Sequence, residues 1–298
     1  MLEFREITLE DQDWITELLG YSDYMGCEYS FANNMAWRRL YQSTICRFQD
    51  FYINKSEDKD GFYFTFPAGR GDITEAVYAM REYANAHGRP LVLIGVTEPV
   101  LAVMQEKFPD AFTATLPEES ADYIYLAEDL RTLAGRKYHQ KRNHLKRFQA
   151  YGAVYAPLTQ ADFDDCIVFS SQQYAEKGGI DDFSSQNEQF AIHTFFSNFD
   201  RFGLMGATLR VDGKLVAFSI AEKLNSNTLC VHIEKADVSF EGAYAAINNT
   251  LVLHAAGEEI LYVNREEDLG IPGLRKAKQS YHPTFMLQKY RLVQNHFS

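Results

Sequence analysis

Apolar and polar positions along the chain switch between a helical and a strand-like period, and the switches mark out elements. Residues 4–7 read as a short strand. Thr8, followed by Glu10 and Asp11, reads as a helix N-cap with acids in the first turn, opening a helix to about Leu19. After an aromatic stretch at 21–37, the runs 43–53 and 61–66 predict two strands, with the polar segment 54–60 as their hairpin turn. Pro67-Ala68-Gly69-Arg70-Gly71-Asp72 leaves the second strand and opens a helix over 73–87, which Gly88 stops. An apolar strand at 91–96 follows. Thr97-Glu98-Pro99 then starts a helix to about Phe108, and a strand at 123–126 closes the half.

The second half repeats this grammar. A helix opens at Thr159-Gln160-Ala161-Asp162 and continues to about Tyr174. Strands at 203–211 and 214–224 flank the tight turn Asp212-Gly213. A strand at 228–234, a loop, a helix at about 242–256 ended by Gly257, and a strand at 260–263 follow. A polar loop at 264–270, a short basic helix at 273–281 and a final strand at 284–290 complete the chain. An offset of 169 residues lays Gly88 on Gly257 and the strand 91–94 on 260–263. An antiparallel hairpin followed by a parallel strand-loop-helix-strand unit, twice over, predicts an α/β (α+β) protein. Its two acyltransferase-like units would each be a mixed, mostly antiparallel sheet flanked by helices.

The length of 298 residues agrees with two domains, at roughly 150 residues each. No apolar run reaches the roughly 20 residues of a membrane helix, and the N-terminus lacks a signal-peptide pattern, so a cytoplasmic protein is expected. Cys27, Cys46, Cys166 and Cys230 form no CxxC motif and read as ordinary thiols. The formal charge of −12 argues against a uniformly basic nucleic-acid binder, but the charge is segregated. Residues 131–147 carry seven Lys/Arg and no acid, and residues 269–298 carry five and no acid. The rest of the chain holds 17 basic against 41 acidic residues.

The first basic island contains Arg136, Lys137, Lys141, Arg142, Lys146 and Arg147, the proper groups for a phosphate-binding, RNA-facing surface. A solvated helix is the plainer reading. Gly69 and Gly71 stand where a strand enters a helix, so their N–H groups could cradle a cofactor's phosphate, although a plain tight turn fits as well and Asp72 would repel an anion. The third stretch runs from Asn264 through Glu266-Glu267-Asp268 and Ile271-Pro272-Gly273 to Arg275, Lys276, Lys278 and Tyr281. Its acids lie at a strand's C-terminal end, beside cations suited to a phosphate or an oxyanion. The eight histidines show no HxxxH or HExxH spacing, and no metal is expected; His232 reads as a packed or hydrogen-bonded histidine.

The segments 133–144, 232–237 and 264–283 resemble the phosphatidylglycerol lysyltransferase C-terminal domain family, most specifically at Asp-Leu-Gly-Ile-Pro-Gly-Leu-Arg-Lys-Ala-Lys. The resemblance implies two tandem GNAT domains, here 1–134 and 151–298, joined by a helix at 135–150. It also implies kinship with Fem-type enzymes, which take their acyl group from aminoacyl-tRNA. Lipid-modifying members carry an N-terminal multi-span membrane region that is absent from this sequence. The acceptor expected is then a phosphatidylglycerol-like lipid reached by docking at the inner membrane face, or a soluble molecule. The active site is expected in the second half, between the ends of the strands 228–234 and 260–263. Glu234, Asp237, Glu267 and Asp268 are candidates for the donor's ammonium, with Lys235 and Tyr281 completing the substrate-binding set. Arg275, Lys276 and Lys278 are candidates for phosphate or the oxyanion. Two other readings stand beside it: an N-acyltransferase using acetyl-CoA or another acyl-CoA through Gly69 and Gly71, and a non-catalytic RNA- or ligand-binding protein.

Overall fold

The computed structural model describes residues 2–176 and 183–296. The chain folds as two units. One holds the residues up to Asp122, then 267–271 and 286 onward; the other holds 123–266 and 272–285. Both sheets are mixed and mostly antiparallel, with helices against them, as expected.

In the first unit the sheet runs in the order Arg5–Glu6, Thr44–Phe48, Phe51–Asp58, Gly61–Thr65, Val92–Val96, Tyr290–Gln294, Phe112–Thr115. Gly61–Thr65 and Val92–Val96 are parallel, and Ile73–Ala86 is the crossover helix between them. This helix forms where Asp72 accepts the Thr74 N–H as its N-cap. Ile73, Ala76, Val77, Met80 and Ala84 fall on one helical stripe and are buried. They pack with Phe64, Leu91, Leu93 and Leu292 in one core. Burying each larger apolar side chain stabilises the unit by about 1.5–3 kcal/mol before the entropy of ordering it.

In the second unit the order is Phe285–Leu287, Asp122–Leu126, Tyr262–Asn264, Thr228–Ala236, Lys214–Lys223, Met205–Val211, Val154–Pro157. Lys214–Lys223 is buried along both faces. Ala243–Ala255 packs on one side of this part of the sheet. On the other, Phe169 and Phe196, from the helices Phe163–Glu176 and Phe183–Ser197, meet Phe218. Thr228–Ala236 and Tyr262–Asn264 form a parallel pair in register only from Thr228↔Tyr262 to Cys230↔Asn264. Beyond that point the two strands part. The basic helix proper is His139–Gln149, preceded by a 3-10 turn at Arg136–Tyr138, and it buries Tyr138 and Phe148.

Three expectations are corrected. The run 43–53 is two strands, Thr44–Phe48 and Phe51–Asp58, turning at Gln49 with φ of +52°. Of the polar residues 54–60 expected as a turn, Asn54, Lys55 and Ser56 are buried strand residues, Glu57 and Asp58 are exposed strand, and only 59–60 turn. The Asn54 amide donates to Asn34, and the Lys55 ammonium reaches Glu57 and faces the Phe4 and Phe62 rings. The final strand is two strands, Phe285–Leu287 and Tyr290–Gln294, which belong to different sheets. Sequence patterning also left Phe112–Thr115, Val154–Pro157 and Phe183–Ser197 unassigned.

Tyr290–Gln294 sits between Val92–Val96 and Phe112–Thr115, so the last strand of the chain completes the sheet of the first half. Lys289, at its start, is 5% exposed. Its ammonium lies 2.8 Å from Asp122 Oδ1 and 3.0 Å from Glu28 Oε2. Asp122 also accepts the Cys27 N–H. Burial alone would lower the Lys289 pKa; Asp122, Cys27 and Glu28 override it and hold the amine well above its usual value. Removing one member of such a buried pair typically costs about 3–5 kcal/mol, because the other charge is left uncompensated. Lys289→Met should therefore speed amide exchange in Val92–Val96 by roughly 10²–10³-fold, measured by hydrogen–deuterium exchange. Unchanged protection would show that the pair does not hold the strand.

Candidate active site in the second unit

Where Thr228–Ala236 and Tyr262–Asn264 part, side chains take over from the sheet. Pairing between Lys214–Lys223 and Thr228–Ala236 steps from Ile220↔Ile233 to Ala221↔Val231, leaving His232 as the extra residue of a β-bulge. His232 stacks on Phe195 of the helix Phe183–Ser197, whereas Glu234 meets Asn248 of the helix Ala243–Ala255. Two consecutive residues just past the other strand reach back across the gap. Arg265 binds Glu234, and Glu266 binds His232.

The Arg265 side chain is 10% exposed, with Nη2 at 2.7 Å from Glu234 Oε1. Glu234 Oε2 accepts the Asn248 side-chain amide at 3.0 Å. The guanidinium lies over Tyr281, 4.8 Å from the ring centroid, and near Tyr125 at 5.8 Å. Burial would lower the Arg265 pKa, but Glu234, Tyr125 and Tyr281 hold it above the ordinary value, so it is a permanent cation. Among the described residues, three buried atoms here have no hydrogen-bond partner: Arg265 Nη1, Asn248 Oδ1 and Ser219 Oγ. Ser219 is the cross-strand partner of Glu234. Buried polar groups are nearly always paired, so one donor, one acceptor and one hydroxyl left over around a single ion pair are chemically suggestive.

Lys141, from the basic helix, stands 3.6 Å from the Tyr281 ring centroid and donates to Ser280 Oγ at 2.6 Å. Burial, followed by the neighbouring Arg265 charge, lowers its pKa to about 8. Desolvation also raises the Tyr281 phenol above its usual pKa. Across the gap, the His232 ring is held between Glu222, at 2.8 Å from Nε2, and Glu266, at 2.7 Å from Nδ1. Burial opposes the imidazolium, and Cys230 with the two glutamates overrides it, so its pKa is raised. His232 is thus the packed, hydrogen-bonded residue expected.

The structure distributes the residues singled out in the sequence as follows. Glu234 and Tyr281 lie in the Arg265 cluster, and Lys141 joins them. Lys235 instead pairs with Glu188 at 3.0 Å and faces the Tyr174 ring. Asp237 accepts the N–H and hydroxyl of Ser239 in a local turn. Glu267 and Asp268 belong to the first unit, where Asp268 is buried and accepts the Gly270 N–H. Lys278, a candidate for phosphate or the oxyanion, is buried, and its ammonium donates to the carbonyls of Arg265 and Glu266, at 2.6 and 3.2 Å. It positions the reaching-back segment. Lys276 is exposed and Arg275 half-buried on the helix Pro272–Gln279.

In the basic island, Lys137 pairs with Asp129, Arg147 with Glu241, and Arg142 donates to the carbonyls of Leu133 and Gly135. Arg136 and Lys146 are exposed. Gly71 is exposed with open space around it, but Gly69 is not free to cradle a phosphate. The Gly69 N–H is given to Ser22 Oγ, and a Cβ on Gly69 would lie 2.0 Å from the Asp50 carbonyl oxygen. The glycine serves close backbone packing. Sequence reasoning missed Arg265, Asn248 and Ser219. The signal for Asn248 was an Asn-Asn pair in an otherwise apolar helix.

The fold has counterparts among known proteins. A protein of unknown function from Bacteroides thetaiotaomicron is 36% identical, with a TM-score of 0.93 over 99% of this chain and 100% of that one. L-PGS from Bacillus licheniformis is 15% identical, with a TM-score of 0.60 over 84% of this chain and 82% of that one. FemX is 7% identical, with a TM-score of 0.65 over 97% and 96%. The last two share the fold. Among curated proteins, an uncharacterised protein from Mycoplasmoides gallisepticum is 23% identical over 58% of this chain, and the match spans 56% of that relative. The profile of one family, phosphatidylglycerol lysyltransferase, C-terminal, matches residues 21–293. The chain belongs to this family, an acyltransferase-type domain with two mixed sheets.

Proposed function

We propose that the chain transfers an aminoacyl group from aminoacyl-tRNA to the hydroxyl of a phosphatidylglycerol-like lipid, and that the Arg265 cluster seats the aminoacyl end. The observation that carries this reading is the set of unpartnered atoms around Glu234. An α-aminoacyl ester offers an ammonium donor three bonds from its carbonyl oxygen, an acceptor. Asn248 Oδ1, Ser219 Oγ and the Glu234 carboxylate suit the ammonium, and Arg265 Nη1 suits the carbonyl oxygen. As the acceptor oxygen attacks, negative charge grows on that carbonyl oxygen. A fixed donor there is worth roughly 3–4 kcal/mol in the transition state. The bond from the acyl carbon to the ribose oxygen breaks, and the ribose oxygen takes a proton.

Lys141 is suited to move that proton. With its pKa near 8, roughly a tenth of the amine is neutral at pH 7, far more than of an ordinary lysine. The neutral amine accepts the proton of the attacking hydroxyl and passes it to the departing ribose oxygen. Half-buried Arg275 and exposed Lys276, on the helix Pro272–Gln279, supply cations for phosphate, alongside the exposed Arg136 and Lys146. No helix among the described residues is long and apolar enough to cross a membrane.

The deciding measurement incubates the protein with a labelled aminoacyl-tRNA pool and phosphatidylglycerol vesicles and follows label into lipid. Label in a peptide or small molecule instead moves the acceptor to the soluble class. Transfer from acetyl-CoA, with none from charged tRNA, overturns the reading. Arg265→Gln should lower kcat by about 10²–10³-fold, and stable Arg265→Gln protein with full turnover would remove Arg265 from the chemistry. The rate should rise with pH and level off above about 8 as Lys141 loses its proton. Lys141→Met should lose most of the rate and flatten this profile. A profile unchanged by Lys141→Met excludes it as the base. Arg275→Ala/Lys276→Ala should raise KM and reduce the salt dependence of tRNA binding, with the circular dichroism unchanged.

A further inference from the structure

The other side of the gap carries a second constellation that aminoacyl transfer does not use. Cys230, His232 and Glu266 converge there. Cys230 Sγ lies 3.9 Å from His232 Nδ1 and 3.8 Å from Glu266 Oε1, and Nδ1 and Oε1 are 2.7 Å apart. The Cys230 residue and the His232 side chain are fully buried, and the Glu266 side chain is 19% exposed, so the group is open to solvent at one edge only. We propose that Cys230, His232 and Glu266 bind one divalent cation of the zinc type.

Three observations carry the proposal. The first is donor chemistry: a thiolate sulfur, an imidazole nitrogen and a carboxylate oxygen form a set suited to zinc and unsuited to calcium or magnesium. The second is spacing. Bond lengths of about 2.3 Å to sulfur and 2.0–2.1 Å to nitrogen and oxygen put tetrahedral ligand edges at about 3.6 Å for S···N or S···O and about 3.3 Å for N···O. The two sulfur edges already match to a few tenths of an ångström. The Nδ1···Oε1 edge opens by about 0.6 Å when the metal replaces the hydrogen between them. Binding displaces the thiol proton and the Nδ1 proton. The fourth position is left to water.

The third observation is the built surround. Glu222 accepts from Nε2 at 2.8 Å, the carboxylate–imidazole pairing that orients a histidine toward a metal on its other nitrogen. Phe195 stacks on the ring at an interplanar angle of 17°. Glu266 has φ of +57°, a left-handed conformation uncommon outside glycine, held by Asn264 Oδ1 on its N–H and by Lys278 on its carbonyl. The strain turns the carboxylate back toward His232. A comparable set in the first unit, Cys27, Glu28 and Asp122, is already filled by the Lys289 ammonium and is no candidate. Spacing rules do not flag the Cys230 site, because two ligands come from one strand at i and i+2 and the third from a loop thirty-odd residues later.

The test strips the full-length protein with chelator and titrates it with Co(II), then Zn(II). The proposal expects one equivalent bound, a thiolate-to-cobalt charge-transfer band, and its displacement by zinc. Cys230→Ser should abolish the band, and Glu222→Gln should keep it while weakening affinity roughly 10–100-fold. X-ray absorption of the zinc-loaded wild-type protein should find one sulfur at about 2.3 Å with nitrogen and oxygen neighbours, a readout that needs no variant. A zinc shell without sulfur, or an affinity unaffected by both Cys230→Ser and Glu266→Gln, overturns the proposal. His232 would then be an imidazolium shared by two glutamates.

Discussion

Where two parallel strands part, neither strand can satisfy the other, and whatever fills the gap decides what the sheet can do. In the second unit the filling is ionic. Arg265 and Glu266 leave the same short strand and reach back in opposite senses, one to Glu234 and one to His232. Their shared backbone is pinned by Lys278, whose ammonium caps both carbonyls, and by the Tyr123 N–H on the Glu266 carbonyl. The geometry of the Arg265 guanidinium, the Glu266 carboxylate and the β-bulge at His232 is therefore one coupled arrangement. The first unit handles the corresponding place differently. The Tyr29 hydroxyl donates to the carbonyl of Phe66 or Gly95, one from each of its two parallel strands, at 3.2 and 3.3 Å. The charges beside this hydroxyl, Glu28 and Lys289, pair with each other.

A buried ion pair is poor evidence for stability, since desolvation commonly cancels its attraction. The Glu234–Arg265 pair is informative for another reason. Nearby atoms on Arg265, Asn248 and Ser219 remain unpaired in a region otherwise well packed, and a fold under selection for stability alone would cover such atoms or replace them with apolar groups. The Lys289 cluster supplies the contrast. It too is buried and charged, and its ammonium reaches two carboxylates at hydrogen-bond distance to hold a strand contributed from the far end of the sequence. Burial and charge are common to both clusters, and Glu28 Oε1 beside Lys289 is also without a partner; what marks the second unit's cluster is a donor, an acceptor and a hydroxyl left over around one ion pair, with a lysine of lowered pKa beside it.

Local patterning made much of the fold legible. The helix Ile73–Ala86 carries its own N-cap, apolar stripe and terminating glycine, and the Asp212-Gly213 hairpin has both residues at positive φ. Both signals act over a few residues. What escaped was non-local. Thr44–Phe48 and Phe51–Asp58 read as one strand because their turn, Gln49-Asp50, is only two residues long and carries no glycine or proline. The last strand was placed with its sequence neighbours because alternation reports burial and not the partner. Lys289 was counted with a basic island although its charge is spent inside the protein. The same limit governed the site. Element order and the family resemblance point to this neighbourhood and to Glu234 and Tyr281, while Lys141 reads from sequence as a phosphate-facing cation. Arg265, Asn248 and Ser219 acquire meaning only through partners 14 to 31 residues away.

The charge segregation changes meaning once partners are known. Of the twelve cations in the two basic islands, Lys137, Arg147 and Lys289 are paired with acids, Arg142 and Lys278 cap backbone carbonyls, and Lys141 sits against Tyr281. Sequence segregation therefore overstates the surface positive charge, and the exposed remainder is small for a protein expected to hold a large polyanion through phosphate contacts alone. A donor recognised mainly at its acylated end needs fewer such contacts. Binding energy concentrated on the aminoacyl group also acts where the bond is broken, and only interactions that strengthen in the transition state accelerate the reaction. An acidic chain with a few exposed cations and one fixed internal guanidinium is consistent with that division of labour: weak, salt-sensitive capture at the surface, and discrimination inside.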